Sequence, residues 1–345
     1  MEKKGEGSPD TSERRTETTE TKETDAKRVY NSTSARPIRR QRMSHYTAKP
    51  YTRTNGMQRR NQQRKRDAQE ILGTGLQRKV LNWMKRFLAQ KYIKHNTAVL
   101  DLCCGRGQDL FKYHHQRVNR LIMIDAAEQE LQFAQATYAQ EEALFRSTFG
   151  RERAPTFLCS DLRVNTLTIQ PKVETVCCQL ALHYLWAEQE HVDNFFHTVT
   201  SSLLPKGFFL LTILDAEQIP VNGLKDHPYM WFSPTYPYAK EEKGEKKSEM
   251  LEGKEVEHEE KRAYTFTYKG RITEPVEEII ITKASLLREC SRHSLKWIQD
   301  YNVDDVKQAI FAFHTNPDVP LQISADDWLA LRMFRCYAFQ YVPTS

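Results

Sequence analysis

The segment Val99-Leu100-Asp101-Leu102-Cys103-Cys104-Gly105-Arg106-Gly107-Gln108-Asp109-Leu110 decides the fold. Residues 98–101 have the apolar character of a buried strand, a short turn with two glycines follows, and a helical pattern starts near Gln108. A strand, a tight loop and a helix N-terminus in this order predict the first unit of a doubly wound α/β sheet. In such a sheet, ligands bind at the carboxyl ends of the strands, where glycine lets them approach the backbone.

A second buried strand predicts a nucleoside site beside this loop. Residues 121–124 are Leu-Ile-Met-Ile and lead into Asp125. A carboxylate at the tip of the second strand can accept hydrogen bonds from ribose hydroxyls. The glycines lack the G-x-G-x-x-G spacing of a dinucleotide site, and the carboxylates of Asp101 and Asp109 are unfavourable to a pyrophosphate. Acidic side chains suit a cofactor that carries a sulfonium and an ammonium group.

Apolar strand segments alternate with helical patterns through the chain, which favours a parallel sheet. We predict further strands at 120–124, 156–159, 174–179, 208–213, 295–298 and 333–339, and a β-rich segment at 264–268. We predict helices at 108–116, 128–141, 194–204 and 284–290, and another over the apolar stripe at 76–88. The expected fold is α/β and Rossmann-like, with a mostly parallel seven-stranded sheet and helices on both faces.

The N-terminal part of the chain differs in composition from the rest. Residues 1–43 are mostly polar and charged, so we predict that they are disordered. Between Asp25 and Asp67 there are thirteen Lys and Arg residues and no acid, which predicts attraction to RNA or DNA. A solvated tail or a nuclear-import signal is the alternative. We assign residues 44–345 to one domain with a charged surface insert at about 239–262, expected to be an exposed loop.

The overall composition excludes several classes of protein. The chain has 345 residues, of which 39% are hydrophobic and 28% charged, and no stretch is long and apolar enough to span a bilayer. The sequence does not begin with an apolar signal segment, so we expect an intracellular protein without a membrane partner. The seven cysteines are odd in number and lack C-x-x-C spacing. We expect them to be reduced, and we expect no metal site.

A second motif is more specific than the glycine turn. The segment Cys178-Gln179-Leu180-Ala181-Leu182-His183-Tyr184 resembles the Q-F-x-x-H-Y motif of the mRNA cap (guanine-N7) methyltransferases, and residues 203–208 follow where that family has L-x-P-G-G-x. Residues 81–85 resemble the family's N-N-W-M-K, and residues 264–266 and 275–279 resemble its Y-x-F and P-E-Y elements. The glycine turn is similar to the D-x-G-x-G-x-G loop of S-adenosylmethionine-dependent methyltransferases.

This resemblance implies a class I methyltransferase fold, S-adenosylmethionine as the cofactor, and two adjacent sites. The implied cofactor-binding residues are Lys85, Asp101, Cys103, Gly105, Asp109, Asp125, Asp161 and Gln179. The implied residues for the capped RNA are Asn82, Arg106, His183, Tyr184, Glu277, Glu278 and Phe334.

The chemistry of several of these residues fits the implied roles. Lys85 can pair with the methionine carboxylate, and Asp161 can accept the adenine amino proton. One of Glu277 and Glu278 can accept both the N1 and the N2 hydrogens of guanine, while aromatic rings stack on the base. Arg106 stands where the family usually has lysine and is expected to face the cap phosphates.

The resemblance implies methyl transfer from S-adenosylmethionine to N7 of the terminal guanine of the mRNA 5′ cap. Because N7 has a free lone pair, we expect no general base and no single catalytic residue. Cys103 and Gln108 stand where the family has glycines, and Leu180 where it has an aromatic residue. A cap- or RNA-binding homologue without transfer activity, and a methyltransferase for another RNA base or a small molecule, remain alternatives.

The implied partner is 5′-capped RNA. An RNA guanylyltransferase, a triphosphatase and the RNA polymerase II tail are further candidate partners. We expect a monomer that acts in the nucleus, or in the cytoplasm if the chain is of viral or parasite origin.

Overall fold

The computed structural model describes residues 77–149, 154–219, 230–234, 248–251, 254–257, 263–268, 272–313 and 323–343. The helices are α1 (77–92), α2 (Leu110–His115), α3 (Glu128–Gln140), α4 (Glu142–Phe149), α5 (Gln189–Ser202), α6 (Lys283–Arg292), α7 (Lys307–Phe313) and α8 (Ala325–Arg332). The strands are β1 (Ala98–Leu102), β2 (Arg120–Asp125), β3 (Thr156–Cys159), β4 (Val173–Gln179), β5 (Leu203–Leu214), β6 (Met230–Pro234), β7 (Ser248–Leu251), β8 (Lys254–Glu257), β9 (Ala263–Tyr268), β10 (Ile272–Ile279), β11 (Leu295–Tyr301) and β12 (Phe334–Tyr341). The predictions about residues 1–76 lie outside the described residues.

Seven strands form one sheet in the order β11-β12-β5-β4-β1-β2-β3. Strands β1 to β5 are parallel to one another, whereas β12 is antiparallel to β5, and β11 is antiparallel to β12. This arrangement confirms the predicted mostly parallel seven-stranded α/β sheet. Because β1, β2 and β4 are parallel, the residues that follow them meet at one edge of the sheet, which we call the carboxyl edge.

Helices cover both faces of the sheet, which explains why the central strands are apolar without alternation. All five residues of β1 are buried. Val99 packs in one cluster with Met84 and Leu88 of α1, while Leu100 packs in a second cluster with Phe195 of α5. The predicted helices on both faces are therefore present.

A small second sheet stands beside the carboxyl edge. Its antiparallel strands have the order β10-β9-β6, and β10 contacts the 3₁₀ turn Leu182–Leu185 that follows β4. The predicted exposed loop at 239–262 is wrong in part, because β7 and β8 pair there as an antiparallel hairpin. The polar and charged composition of the insert concealed this short hairpin from the apolar pattern, and the rest of the insert lies outside the described residues.

Several element boundaries differ from the sequence-based predictions. The helix predicted from residue 108 begins at Leu110, because Gly107 has φ +70° and residues 105–109 form turns. The turn predicted at 205–207 lies inside β5, where Lys206 has φ +66° and the pairing with β4 shifts register. Helices α4, α7 and α8 were not predicted from the sequence. None of the described helices is both long and apolar enough to cross a membrane.

Candidate active site

The loop between β1 and α2 is fastened to the end of β2. The Gly105 backbone N–H donates to Asp125 Oδ2 at 2.7 Å, and the Ala127 N–H donates to Asp125 Oδ1 at 2.8 Å. Burial raises the pKa of Asp125. Gly105 has φ +52°, and a Cβ placed on it would meet no atom within 4 Å. The loop thus presents bare backbone to open space beside a carboxylate.

Oppositely charged side chains are buried together next to this loop. Lys85 Nζ of α1 donates to Asp109 Oδ2 at 3.0 Å, and Lys112 Nζ donates to Asp109 Oδ1. Lys112 also donates to Asn82 Oδ1 at 3.1 Å. Burial acts to raise the pKa of Asp109, but the two lysines outweigh it and hold the pKa well below its ordinary value. Asp109 is therefore an ionised link between α1 and α2.

Asp101 belongs to the same charged group. It is 2% exposed and has a hydrogen bond with Tyr113, while its Oδ2 has no hydrogen-bond partner among the described residues. Burial and the nearby Asp109 charge raise the pKa of Asp101 well above its ordinary value. A buried oxygen without a donor costs free energy. This atom therefore marks a place where an N–H or ammonium group of a ligand fits.

Asp161 and Gln179 lie at the carboxyl edge, as predicted, and each has a protein partner. Arg163 donates from Nη2 to Asp161 Oδ2 at 2.7 Å and from Nε to Oδ1 at 3.0 Å. Burial acts to raise the pKa of Asp161, yet the hydrogen bonds from Arg163 bring it below its ordinary value. Gln179 Oε1 accepts from Thr212, and its Nε2 donates to the Leu210 carbonyl at 3.3 Å. These contacts fix both side chains.

A second cluster forms where the turn after β4 meets the small sheet. His183 Nε2 lies 3.3 Å from Glu278 Oε1, and the Tyr264 hydroxyl donates to Glu278 Oε2. The Glu278 residue is 5% exposed. Burial acts to raise the pKa of Glu278, but His183 and Tyr264 hold it below its ordinary value. The half-buried Glu277 pairs in register with Thr265 and, as a strand neighbour of Glu278, faces the other side.

Tyr184 lies beside His183 of this second cluster. Its ring centroid is 4.0 Å from that of His183, and the residue is 52% exposed. Partial burial raises the pKa of the Tyr184 hydroxyl, as do the charges of Glu278, Cys103 and Asp125. The ring of Tyr184 is therefore a half-exposed aromatic surface next to the second cluster.

Arg106 and Phe334 each contact other parts of the protein. Arg106 donates from Nε and Nη2 to Glu130 at 2.7 and 3.0 Å, and its guanidinium lies 4.5 Å from the Phe133 ring centroid. Contact with cap phosphates would need this ion pair to open. Phe334 is 4% exposed and packs in the apolar cluster that contains Tyr264.

The two substitutions at family glycine positions have different consequences. Cys103 has φ +56°, in the left-handed region that favours glycine. Gln108 is exposed and does not have a positive φ, so its side chain is accommodated. The neighbouring Gly107 does need to be glycine, because its φ is +70° and a Cβ would lie 3.0 Å from the Ala134 Cβ.

Sequence reasoning missed several side chains of the site. Lys112 lies three residues after Asp109, so the helical spacing of oppositely charged residues could have found it. Tyr264 belongs to a motif that was recognised but was not assigned to the site. Tyr113 and Arg163 contact Asp101 and Asp161, and no motif indicated either contact.

The topology and the acidic carboxyl edge together define a class of protein. A seven-stranded sheet in which only β12 runs antiparallel to the other strands, with acids at the ends of β1 and β2, is the fold of class I S-adenosylmethionine-dependent methyltransferases. Residues 38–305 match the mRNA (guanine-N(7))-methyltransferase domain. The chain belongs to this family. The match begins six residues before the predicted domain start at 44, and β12 continues the same sheet beyond its end.

Relatives with names from the same family align with part of the chain. It is 30% identical over 146 residues to mRNA cap guanine-N(7) methyltransferase 1 of Arabidopsis thaliana, which covers 41% of this chain and 40% of the relative. It is 31% identical over 156 residues to the mRNA cap guanine-N(7) methyltransferase of Drosophila melanogaster, which covers 40% of this chain and 36% of the relative. The chain therefore spans about two fifths of the length of the relatives that it matches.

Solved structures with a similar arrangement are methyltransferases of other kinds. The glycopeptide N-methyltransferase MtfA complexed with (S)-adenosyl-L-homocysteine has a TM-score of 0.47 at 14% identity, covering 76% of this chain and 89% of that chain. An S-adenosylmethionine-dependent methyltransferase from Clostridium acetobutylicum has a TM-score of 0.45 at 13% identity, covering 77% of this chain and 92% of that chain.

Proposed function

We propose that the protein transfers a methyl group from S-adenosylmethionine to N7 of the terminal guanine of the mRNA 5′ cap. The observation that carries this proposal is the buried Glu278 carboxylate, which lies beside His183 and Tyr264 where β10 contacts the turn that follows β4. A donor site and a guanine site would thus share one edge of the sheet. The names of the family and of its members support the same assignment.

The residues of the β1–α2 loop fit the proposed cofactor. S-adenosylmethionine, when bound, supplies a methyl group on a positively charged sulfur. Asp125 keeps lone pairs for ribose hydroxyls beyond the two backbone N–H groups that it already accepts. The free Oδ2 of Asp101 can accept from the amino group of the methionine moiety. Lys85 and Lys112 can bind the carboxylate of the methionine moiety while they keep their ion pairs with Asp109.

The second cluster fits guanine. Glu278 is ionised at neutral pH, since its pKa is lowered, and a carboxylate can accept the N1 and N2 hydrogens together. The Tyr264 hydroxyl donates to the carboxylate, and His183 lies beside it. The half-exposed Tyr184 ring offers a surface on which a base can stack. Adenine has no hydrogen at N1, so this arrangement would favour guanine.

The protein's contribution to the transfer is alignment. Guanine N7 has a free lone pair at neutral pH, so no side chain must remove a proton from it. Residues at the carboxyl edge would hold S-adenosylmethionine, and Glu278 with Tyr184 would hold the guanine. Orientation of this kind lowers the barrier by removing the entropy cost of bringing two reactants together.

Methyl transfer to capped RNA tests this proposal. Purified protein is incubated with labelled S-adenosylmethionine and RNA that begins with GpppN or ApppN, and the product is digested to locate the label. We expect label at N7 of guanine with GpppN and none with ApppN. Label at another atom would contradict the assignment. Absence of label, with cap binding retained and donor binding absent by calorimetry, would favour a cap-binding homologue, for which the strained Cys103 is the specific observation.

We further propose that the protein acts on capped RNA in the nucleus, where mRNA is processed. The support for this is the mRNA cap named in the family and in its members. Export of the chain from the nucleus by a fused export signal should then lower the fraction of cap guanine that carries the methyl group.

A further inference from the structure

The outward side of α1 carries an unusual charge distribution. No Asp or Glu occurs from residue 71 to 100, while α1 has basic side chains at Arg78, Lys79, Lys85, Arg86 and Lys91. The opposite side of the helix, with Met84 and Leu88, is buried in the core. The helix therefore presents positive charge to solvent without neighbouring acids in its own sequence.

Some cations elsewhere in the described residues have an acidic partner. Arg146 pairs with Glu142 at 2.6 Å, and Arg332 pairs with Asp304 at 2.7 Å. Within the described part of the chain, Arg78 and Lys79 are exposed and have no salt bridge. The charges of these two side chains are therefore available to an external anion.

Arg86 extends this positive surface towards α2 and α7. Its guanidinium lies 4.6 Å from the Phe313 ring centroid. Burial lowers the pKa of His115, and the charge of Arg86 lowers it further, which places the two side chains near each other. Phe311, on the same short helix as Phe313, is 46% exposed. Cations interspersed with aromatic rings are a combination that single-stranded nucleic acids bind.

The basic surface begins at the candidate active site. A helix turns by about 100° per residue, so positions 78, 79, 82 and 86 lie on one side of α1. Asn82 on this side accepts from Lys112, and Lys85 pairs with Asp109. Residues 78 to 86 span about 12 Å along the axis, a length that matches a few nucleotides.

We propose that Arg78, Lys79 and Arg86, here called the α1 basic face, bind the phosphates of the RNA chain just downstream of the cap. The inference rests on the proposed function, because a cap held at the carboxyl edge has to leave its RNA chain on a neighbouring surface. Binding here is electrostatic and independent of sequence. It would raise affinity for long capped RNA without touching the reacting guanine.

Comparison of a short and a long substrate tests this inference. The full chain and the triple variant Arg78→Gln/Lys79→Gln/Arg86→Gln are assayed with the dinucleotide GpppG and with a GpppN-capped RNA of 20 nucleotides. We expect kcat/KM for GpppG to be unchanged and kcat/KM for the long RNA to fall about 10-fold. Three lost contacts should also reduce the slope of log affinity against log salt by about 2.

A matched control separates this surface from general charge effects. The variant Lys172→Gln/Lys206→Gln/Lys296→Gln removes the same charge at the opposite end of the sheet, near the starts of β4, β5 and β11. We expect it to retain both kcat/KM values and the wild-type salt slope. The double variant Arg78→Gln/Lys79→Gln preserves the Arg86–Phe313 contact. It should show about two thirds of the change in salt slope that is expected for the triple variant, so it tests the surface even if the triple variant folds poorly.

Three outcomes would overturn the inference. The first is an unchanged ratio of long to short kcat/KM in the triple variant, which would favour an acidic protein segment as the ligand of this face. The second is an equal loss with both substrates, and the third is an equal effect of the control variant. If the wild-type protein transfers no methyl group at all, the proposed function fails separately. Anisotropy of a labelled uncapped 20-nucleotide RNA then still tests the surface, with the same salt slopes expected.

Discussion

The two parts of the candidate active site are built by different means. The donor part, at the ends of β1 and β2, holds buried charges of both signs, with Asp109 between two lysines, and it has the carboxyl group of Asp101 beside them. The guanine part has the single Glu278 carboxylate, held by His183 and by a tyrosine of the small sheet. The first is local to the main sheet, whereas the second needs two separate sheets to meet.

This difference indicates how each part discriminates. Paired buried charges are ready to exchange partners with a zwitterionic ligand such as the methionine end of S-adenosylmethionine. A single carboxylate fixed in a less polar environment instead binds most tightly a ligand that presents two N–H groups at the right spacing. Substitutions in the two parts should therefore affect different binding constants.

The largest effect is expected at Glu278. In Glu278→Gln the side chain keeps its size but loses the charge and one acceptor, so kcat/KM for capped RNA should fall about 100-fold. The affinity for S-adenosylmethionine, measured by calorimetry, should change less than about 2-fold. Glu277→Gln is the matched control, because it removes the same charge one residue earlier on the other side of β10. Similar losses in the two variants would contradict the assignment.

At Asp125 we expect the opposite pattern, in which donor binding weakens and cap binding does not. In Asp125→Asn the loop and the ribose contact lose a charged acceptor, so donor affinity should fall about 10-fold, while the affinity for a cap analogue stays within about 2-fold. Glu128→Gln, an exposed position at the start of α3, serves as the control. Equal weakening of both ligands in Asp125→Asn would indicate general damage to the fold and not a donor contact.

Burial of Asp101 should make the free energy of unfolding depend on pH. Its pKa is raised in the folded state, so above about pH 3.8 the unfolded chain releases this proton first, and rising pH lowers the free energy of unfolding. Each pKa unit corresponds to about 1.4 kcal/mol. In Asp101→Asn this contribution vanishes, so the variant should gain stability over the wild type as pH rises from 4 to 8. Urea unfolding at several pH values measures this, and a difference that is independent of pH would contradict it.

The smallest effect is expected at Cys103. Cys103→Gly relieves a left-handed backbone conformation and removes a Cβ beside the donor loop. Donor affinity should rise about 3-fold, which corresponds to less than about 1 kcal/mol. Cys104→Ala, where φ is not positive, should leave donor affinity unchanged. A Cys103→Gly variant that binds the donor no better than the wild type would show that this cysteine does not obstruct the site.

The donor part was predictable from sequence because its signals are local. Asp101 and Asp125 end apolar strands, and parallel neighbours must bring such residues to one edge. What could not be predicted is which partner each charge takes. Arg106 pairs with Glu130 of α3 and Lys112 pairs with Asp109, and these choices depend on distances between elements that the sequence does not state.

The guanine part was less predictable because strand register decides it. Glu277 and Glu278 are adjacent, and the pairing of Glu278 with Tyr264 determines which one is buried. The register of β10 against β9 shifts between Ile272 and Val276, and motif spacing does not reveal such an irregularity. The implied role of Phe334 rested on the family motif alone, and the side chain lies in the core.

The account's central claim, that Glu278 reads the guanine edge, is tested most directly with inosine. RNA capped with IpppN retains N7 and the N1 hydrogen but lacks the N2 amino group. The wild-type protein should prefer GpppN to IpppN by about 10-fold or more in kcat/KM, and Glu278→Gln should lose most of this preference. A preference that is the same in both proteins would contradict the claim.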